Sequence, residues 1–218
     1  MNLKIKHSLD IPGWTFYPQH KLYKSLVQDL PKNPRILEIG CGWGRSTWAW
    51  LDALPSSSMY YVLDNFNLTS HWCYHSFYKK YKGNNNMMAK SIKRWAKSDT
   101  NQLEIFKQLI SQHPNNKIIK KIWKLDSDDW IASDEFSNNW DLVYLDDRHT
   151  FEVMKKWLKL FSNVQIVCGD DYSIKFPGII KAVDGYARKN NKFKEISKAA
   201  NFFVIKNHLT NSSNSTIM

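Results

Sequence analysis

The run Arg35-Ile-Leu-Glu-Ile-Gly-Cys-Gly-Trp-Gly-Arg-Ser-Thr47 constrains the fold of this chain more than any other stretch. Arg35 to Ile39 is short and apolar and predicts a strand. Gly40, Gly42 and Gly44 then predict a sharp turn that leaves bare main chain open to a ligand. The helix expected next would aim its first N–H groups at the same space. Such a junction either holds the phosphate or nucleoside part of a ligand or is a tight strand–helix turn with no ligand at all. Glu38, two residues before the first glycine, favours a cationic ligand, because a carboxylate so close would repel a pyrophosphate.

The remaining sequence alternates strand and helix patterns. Apolar positions from Thr15 to Leu30 recur at helical spacing and stop at Pro31. Met59 to Leu63 reads as the second strand and closes on Asp64, 20 positions past Gly44. A nucleoside-binding α/β fold places there the carboxylate that grips ribose hydroxyls. Residues 65–98 interleave aromatic residues such as Trp72, Tyr74 and Trp95 with lysines, and Gly83-Asn-Asn-Asn86 splits them, so they read as a helical insertion after strand 2. A helix over 100–112 and a strand over 117–125 follow, ending at Asp126-Ser127. Trp140 to Asp146 is the fourth strand, 149–161 a helix, Val164 to Cys168 the fifth strand, and 177–190 a helix. Two last strands, near Phe193 to Ile196 and over 201–206, have no helix between them and predict an edge hairpin. The fold class expected is α/β: a doubly wound, Rossmann-like sheet, mostly parallel, with a C-terminal antiparallel hairpin. Residues 1–206 read as a single domain, and 207–218 as a polar, frayed tail.

Ligands in such sheets bind beyond the C-terminal ends of the strands. The acids expected there are Asp64, Asp126, Asp146, Asp147, Asp170 and Asp171. If the strands ending at Asp146 and at Asp170-Asp171 are neighbours, three carboxylates converge and repel unless a cation or protons compensate. All-oxygen ligation by Asp146, Asp170 and Asp171 favours magnesium, calcium or manganese over zinc. His149 follows Asp146 by three residues and can face the same point, with an ordinary pKa near 6.5 suited to a general base. A solvated turn is the plain alternative for the acid pair, and a helix-capping role for His149.

Glu-Ile-Gly-Cys-Gly-Trp-Gly44 resembles the first motif of class I S-adenosylmethionine-dependent methyltransferases. Leu-Asp-Asp-Arg-His-Thr-Phe-Glu152, Gly-Asp-Asp-Tyr172 and Pro-Gly-Ile-Ile-Lys-Ala-Val-Asp184 are similar to the macrocin-type, sugar O-methyltransferase branch. The similarity spans roughly 12–206 without the insertion, and Asp147-Arg148 departs from the branch's usual glycine and acid. It implies a methyltransferase sheet with S-adenosylmethionine held by Glu38, Gly40, Gly42, Gly44, Asp64, Asp126 and Ser127. It further implies magnesium on Asp146, Asp170 and Asp171, His149 as base with Asp146 in catalysis, and a small hydroxylated acceptor such as a sugar or glycoside. Self-association into a homo-oligomer is an open expectation from the same resemblance.

The net charge of +11 keeps a nucleic-acid methyltransferase as an alternative, although neither an Asn-Pro-Pro-Tyr motif nor a Lys-Asp-Lys-Glu order is present. A cofactor-binding scaffold without catalysis is a second alternative. An apolar share of 43% with ten tryptophans excludes a disordered chain. No run approaches the roughly 18 apolar residues of a membrane span. The start lacks a signal-peptide pattern, and the three scattered cysteines (Cys41, Cys73, Cys168) suit a reducing compartment. The expectation is therefore a cytoplasmic enzyme without a structural zinc.

Overall fold

A computed structural model describes residues 5–67, except 12, 14 and 16, and residues 101–207. Residues 68–98 of the expected insertion lie outside the described residues. The chain divides into two compact units, Met1–Phe136 and Ser137–Met218.

In the first unit, β1 (Arg35–Ile39) pairs in parallel with β2 (Met59–Asp64), which pairs in parallel with β3 (Ile119–Lys124). Glu38 lies opposite Val62 in that register, and Gly40 donates its N–H to the Leu63 carbonyl at 2.9 Å. The end of β2 is thereby tied to the start of the glycine turn. Helix α1 (Tyr17–Val27) packs on α2 (Arg45–Ala53) through Tyr23 and Trp50, whose rings stack 3.9 Å apart. Both rings are fully buried, so this contact alone removes two large aromatic surfaces from water. Helix α3 (Gln102–Ile110) is capped by Asn101 and buries Ile105, Phe106, Leu109 and Ile110, the spacing of one apolar stripe. Helix α4 (Ser127–Ala132) follows β3.

In the second unit, β4 (Leu142–Leu145) and β5 (Ile166–Gly169) run parallel, with Leu142 opposite Ile166 and Leu145 opposite Gly169. Both strands are buried along their whole length, as near-continuous apolar runs of a covered parallel sheet should be. β7 (Phe202–Lys206) is antiparallel to β5 and to β6 (Phe193–Ser197), forming the hairpin expected at the C-terminal end. Helix α5 (Phe151–Leu160) buries Met154, Trp157 and Leu158, and α6 (Pro177–Lys189) buries Ile179, Ala182, Val183 and Ala187. Pro177 opens α6 where its missing N–H costs nothing, and Arg188 and Lys189 sit at the end favoured by the helix dipole.

The seven strands form one sheet in the order β3-β2-β1-β4-β5-β7-β6. The mostly parallel sheet with its closing hairpin is the fold class expected from the sequence. Asn207, expected at the head of a frayed tail, is buried and donates its side-chain amide to the Val164 carbonyl at 2.6 Å. Among the described residues, no helix is long and apolar enough to cross a membrane.

Candidate active site

The first unit carries the glycine turn. Gly40, Gly42 and Gly44 all adopt left-handed backbone, with φ of 85°, 56° and 96°. Gly44 is also fixed by space, because a Cβ there would lie 3.0 Å from Phe106 and from Ile110 of α3. Helix α3 braces the turn a second time. Gln102, almost fully buried, donates its side-chain amide to the Gly42 carbonyl at 2.7 Å. Gln102 lies 60 residues from Gly42, and nothing local in the sequence marks it as part of this site.

Asp64 stands where a ribose-gripping acid was expected and is held in place by the turn. Its Oδ2 accepts the Gly42 N–H at 2.9 Å and its Oδ1 accepts the Phe66 N–H at 2.6 Å. Burial pushes its carboxyl above the usual carboxylate range, against the opposing pull of those N–H bonds. Phe66 takes a left-handed φ of 52°, rare for a bulky residue, and its buried ring meets Phe106 edge-on at 5.3 Å. The strain of that conformation accompanies a fixed Asp64.

Glu38 is placed differently from its expected role as a ligand contact. Its side chain is fully buried and accepts hydrogen bonds from Ser46 and Thr47 at 2.5 Å and from the Tyr60 hydroxyl at 2.9 Å. The carboxylate thus pins β1 and β2 to the first turn of α2. Arg45 opens that turn and donates to the carbonyls of Ser8, Leu9 and Gly13, which ties the 8–13 segment to the same helix end. Asp126 caps α4, accepting the Asp128 N–H at 3.0 Å, and Ser127 is the first, buried residue of that helix.

The second unit carries the acids that follow β4 and β5. Asp146, His149 and Asp171 each offer one ligand atom within 4.8 Å of the others. His149 Nε2 lies 2.5 Å from Asp171 Oδ2 and 3.5 Å from Asp146 Oδ1, and its ring stacks on Phe176 at 4.6 Å. Asp170 is not in this trio. It is buried, and its Oδ1 accepts the Asp171 N–H at 2.8 Å, closing the turn that swings Asp171 outward in left-handed backbone (φ 60°). Gly169 makes the turn compact: a Cβ there would lie 2.5 Å from the Leu145 carbonyl oxygen. Asp147, the departure noted in the sequence, accepts the Trp157 indole N–H at 3.0 Å and so anchors α5 instead.

The ordinary pKa near 6.5 expected for His149 does not hold. Hydrogen bonds that the imidazolium donates to Asp146 and Asp171 raise it to about 10, outweighing the opposite effect of burial. Without a bound ion, His149 is therefore an imidazolium at neutral pH and compensates the two carboxylates itself. Because its folded pKa lies above the unfolded value, its contribution to stability is complete below about pH 6.5 and is lost as pH rises through about 10. In EDTA, the gap in melting temperature between the parent protein and His149→Gln should be widest near pH 6 and close by about pH 10. A gap that grows with pH contradicts this assignment.

No family model matches the sequence, and no curated protein matches it either. Solved structures share the fold. A Klebsiella pneumoniae protein provisionally named an O-methyltransferase is 12% identical, with a TM-score of 0.57 over 90% of this chain and 83% of its own. An O-methyltransferase from Bacillus cereus, solved in complex with SAH, is 13% identical, with a TM-score of 0.52 over 91% and 86%. A precorrin-6y C5,15-methyltransferase from Geobacter metallireducens is 8% identical, with a TM-score of 0.53 over 84% and 76%. At these identities the likeness is one of fold, and the fold is shared by proteins named for methylation at oxygen and at carbon.

Proposed function

We propose that this chain is an S-adenosylmethionine-dependent O-methyltransferase acting on a hydroxyl of a small acceptor such as a sugar or glycoside. The observation that carries the reading is the left-handed glycine turn fixed to Asp64 in the first unit, and the Asp146–His149–Asp171 group within the second unit supplies side chains suited to an acceptor hydroxyl. The cradle at the turn suits the donor: it offers bare main chain, a carboxylate at the end of β2 for ribose hydroxyls, and a helix N-terminus. When bound, S-adenosylmethionine supplies the electrophilic methyl group. Asp64, kept in position by Gly42 and Phe66, orients the nucleoside, and Gln102 and the α3 side chains hold the turn in shape.

In the second unit the acid group orients the acceptor hydroxyl and manages its proton. The donor set of two carboxylates and one imidazole nitrogen also fits a divalent cation, and its mixed nitrogen and oxygen character suits manganese, iron or zinc as well as magnesium. Asp146, Asp171 and His149 would hold such an ion, which would lower the pKa of a coordinated hydroxyl. His149 accepts a proton only as a neutral imidazole with no ion on its Nε2, so with the ion held its part is to ligate and orient, and without the ion its imidazolium compensates the two carboxylates.

Incubation with methyl-labelled S-adenosylmethionine and a panel of glycosides, phenols, lipids and nucleic acids tests the reading. Label in a hydroxylated small acceptor, reduced by EDTA and restored by manganese or magnesium, is the expected result. Label in nucleic acid only, or donor binding without any transfer, favours the alternatives of a nucleic-acid enzyme or a scaffold. Full activity in EDTA removes the metal from the mechanism.

A further inference from the structure

The backbone and one ring nitrogen of His149 are fixed by its own surroundings. A tight turn sets the backbone: the Thr150 N–H donates to the Arg148 carbonyl at 2.9 Å, and Thr150 then caps α5 by accepting the Val153 N–H at 3.3 Å. Asp171 at 2.5 Å and Asp146 at 3.5 Å set Nε2. Both acids meet the ring at that one nitrogen, so they hold a point on its edge and leave the tilt of its plane unset. With the side chain 37% exposed, general packing does not supply the missing restraint.

Phe176 supplies it. Its ring lies against the imidazole face, with centroids 4.6 Å apart and planes 27° from parallel. Phe176 is itself held along the chain on both sides. Its N–H donates to the Ser173 carbonyl at 2.9 Å, and its carbonyl accepts the Ile179 N–H at 3.0 Å. Pro177 keeps it out of helical backbone, at φ −124° and ψ 67°. Gly178 explains why the two rings meet. A Cβ at 178 would lie 2.7 Å from the Phe151 backbone nitrogen, so glycine is what lets the first turn of α6 sit on the start of α5. His149 is two residues before Phe151, and Phe176 is two before Gly178, so this close approach lays one ring on the other.

We propose that Phe176 is a positioning residue for the acid group: its ring face sets the tilt of the His149 imidazole and so keeps Nε2 against Asp171 and Asp146. The inference rests on the proposed function, in which that group handles the acceptor hydroxyl or holds an ion.

Phe176→Leu removes the flat face at a similar apolar volume, and Phe176→Tyr keeps the face. In 15N-histidine-labelled protein in EDTA at pH 7, the His149 Nε2–H signal is assigned by its loss in His149→Gln. It should be sharp in the parent protein and in Phe176→Tyr, and broadened or lost in Phe176→Leu. Titration with Mn2+, followed by electron paramagnetic resonance, should show binding about tenfold weaker in Phe176→Leu and within about twofold of the parent in Phe176→Tyr. A Phe176→Leu protein that melts lower yet keeps both the signal and the Mn2+ affinity makes the stack merely structural and overturns the assignment. Equal losses in the two variants, or no Nε2–H signal in the parent, overturn it as well. If the parent takes up no Mn2+, the Nε2–H signal alone decides. Should Phe176→Leu not fold, Phe176→Met takes its place with the same expectations. Absence of methyl transfer to any acceptor, with these results intact, overturns the proposed function instead, so the two failures are distinguishable.

Discussion

Asp146→Ala should lower methyl transfer by about a hundredfold or more while leaving S-adenosylhomocysteine affinity within about twofold. The expectation follows from where Asp146 lies. It is one of the three groups whose ligand atoms fall within 4.8 Å of one another, and it helps hold His149 in its charged form. Removing it takes away a carboxylate that would orient the acceptor hydroxyl or ligate an ion, and it leaves His149 against Asp171 at 2.5 Å. The glycine turn, Asp64 and Gln102 are untouched by the change. Steady-state rates with labelled donor, beside a calorimetric titration, separate the two quantities. Loss of donor affinity with an unchanged maximal rate assigns Asp146 to donor binding and rejects the acceptor role.

Glu38→Ala should destabilise the protein by about 3–5 kcal/mol, which for a chain of this size lowers the melting temperature by roughly 10 °C. Three hydroxyls lose a charged acceptor in a fully buried place. Ser46 and Thr47 can turn back to helix carbonyls, but Tyr60 on β2 has no such local substitute. Glu38→Gln should cost less, since its amide oxygen still accepts a bond while its NH2 faces donors. Thermal denaturation without ligand decides the matter. A variant that melts normally but binds S-adenosylhomocysteine poorly makes Glu38 a ligand contact, as first read from the sequence, and rejects the buried clamp.

These two acids mark how far the sequence could be read. Its alternating periodicities gave the order of strands and helices and the closing hairpin, because buried parallel strands are continuous apolar runs and amphipathic helices repeat at 3.6 residues. The spacing of Gly40, Gly42 and Gly44 made the left-handed turn legible, since few other residues tolerate that backbone. Side-chain roles were less legible. Whether Glu38 faces a ligand or the interior depends on hydroxyls at 46, 47 and 60 that only the folded turn brings together. Asp170 and Asp171 are chemically identical neighbours, and the left-handed φ at Asp171 decides which of them reaches His149. His149 has a raised pKa because of two acids 3 and 22 positions away, and an ordinary reference value carries no information about that. Gln102 had no motif to mark it and is revealed by a bond across 60 residues.

The central claim is that the glycine turn holds a methyl donor and not a dinucleotide. Calorimetric titration of the parent protein and Asp64→Ala with S-adenosylhomocysteine and NAD+ tests it most directly. The predicted result is saturable binding of S-adenosylhomocysteine to the parent protein, weakened about tenfold or more by Asp64→Ala as a half-buried carboxylate acceptor is lost, with no heat from NAD+. Binding of NAD+ with none of S-adenosylhomocysteine, or equal S-adenosylhomocysteine affinity in the two proteins, contradicts it.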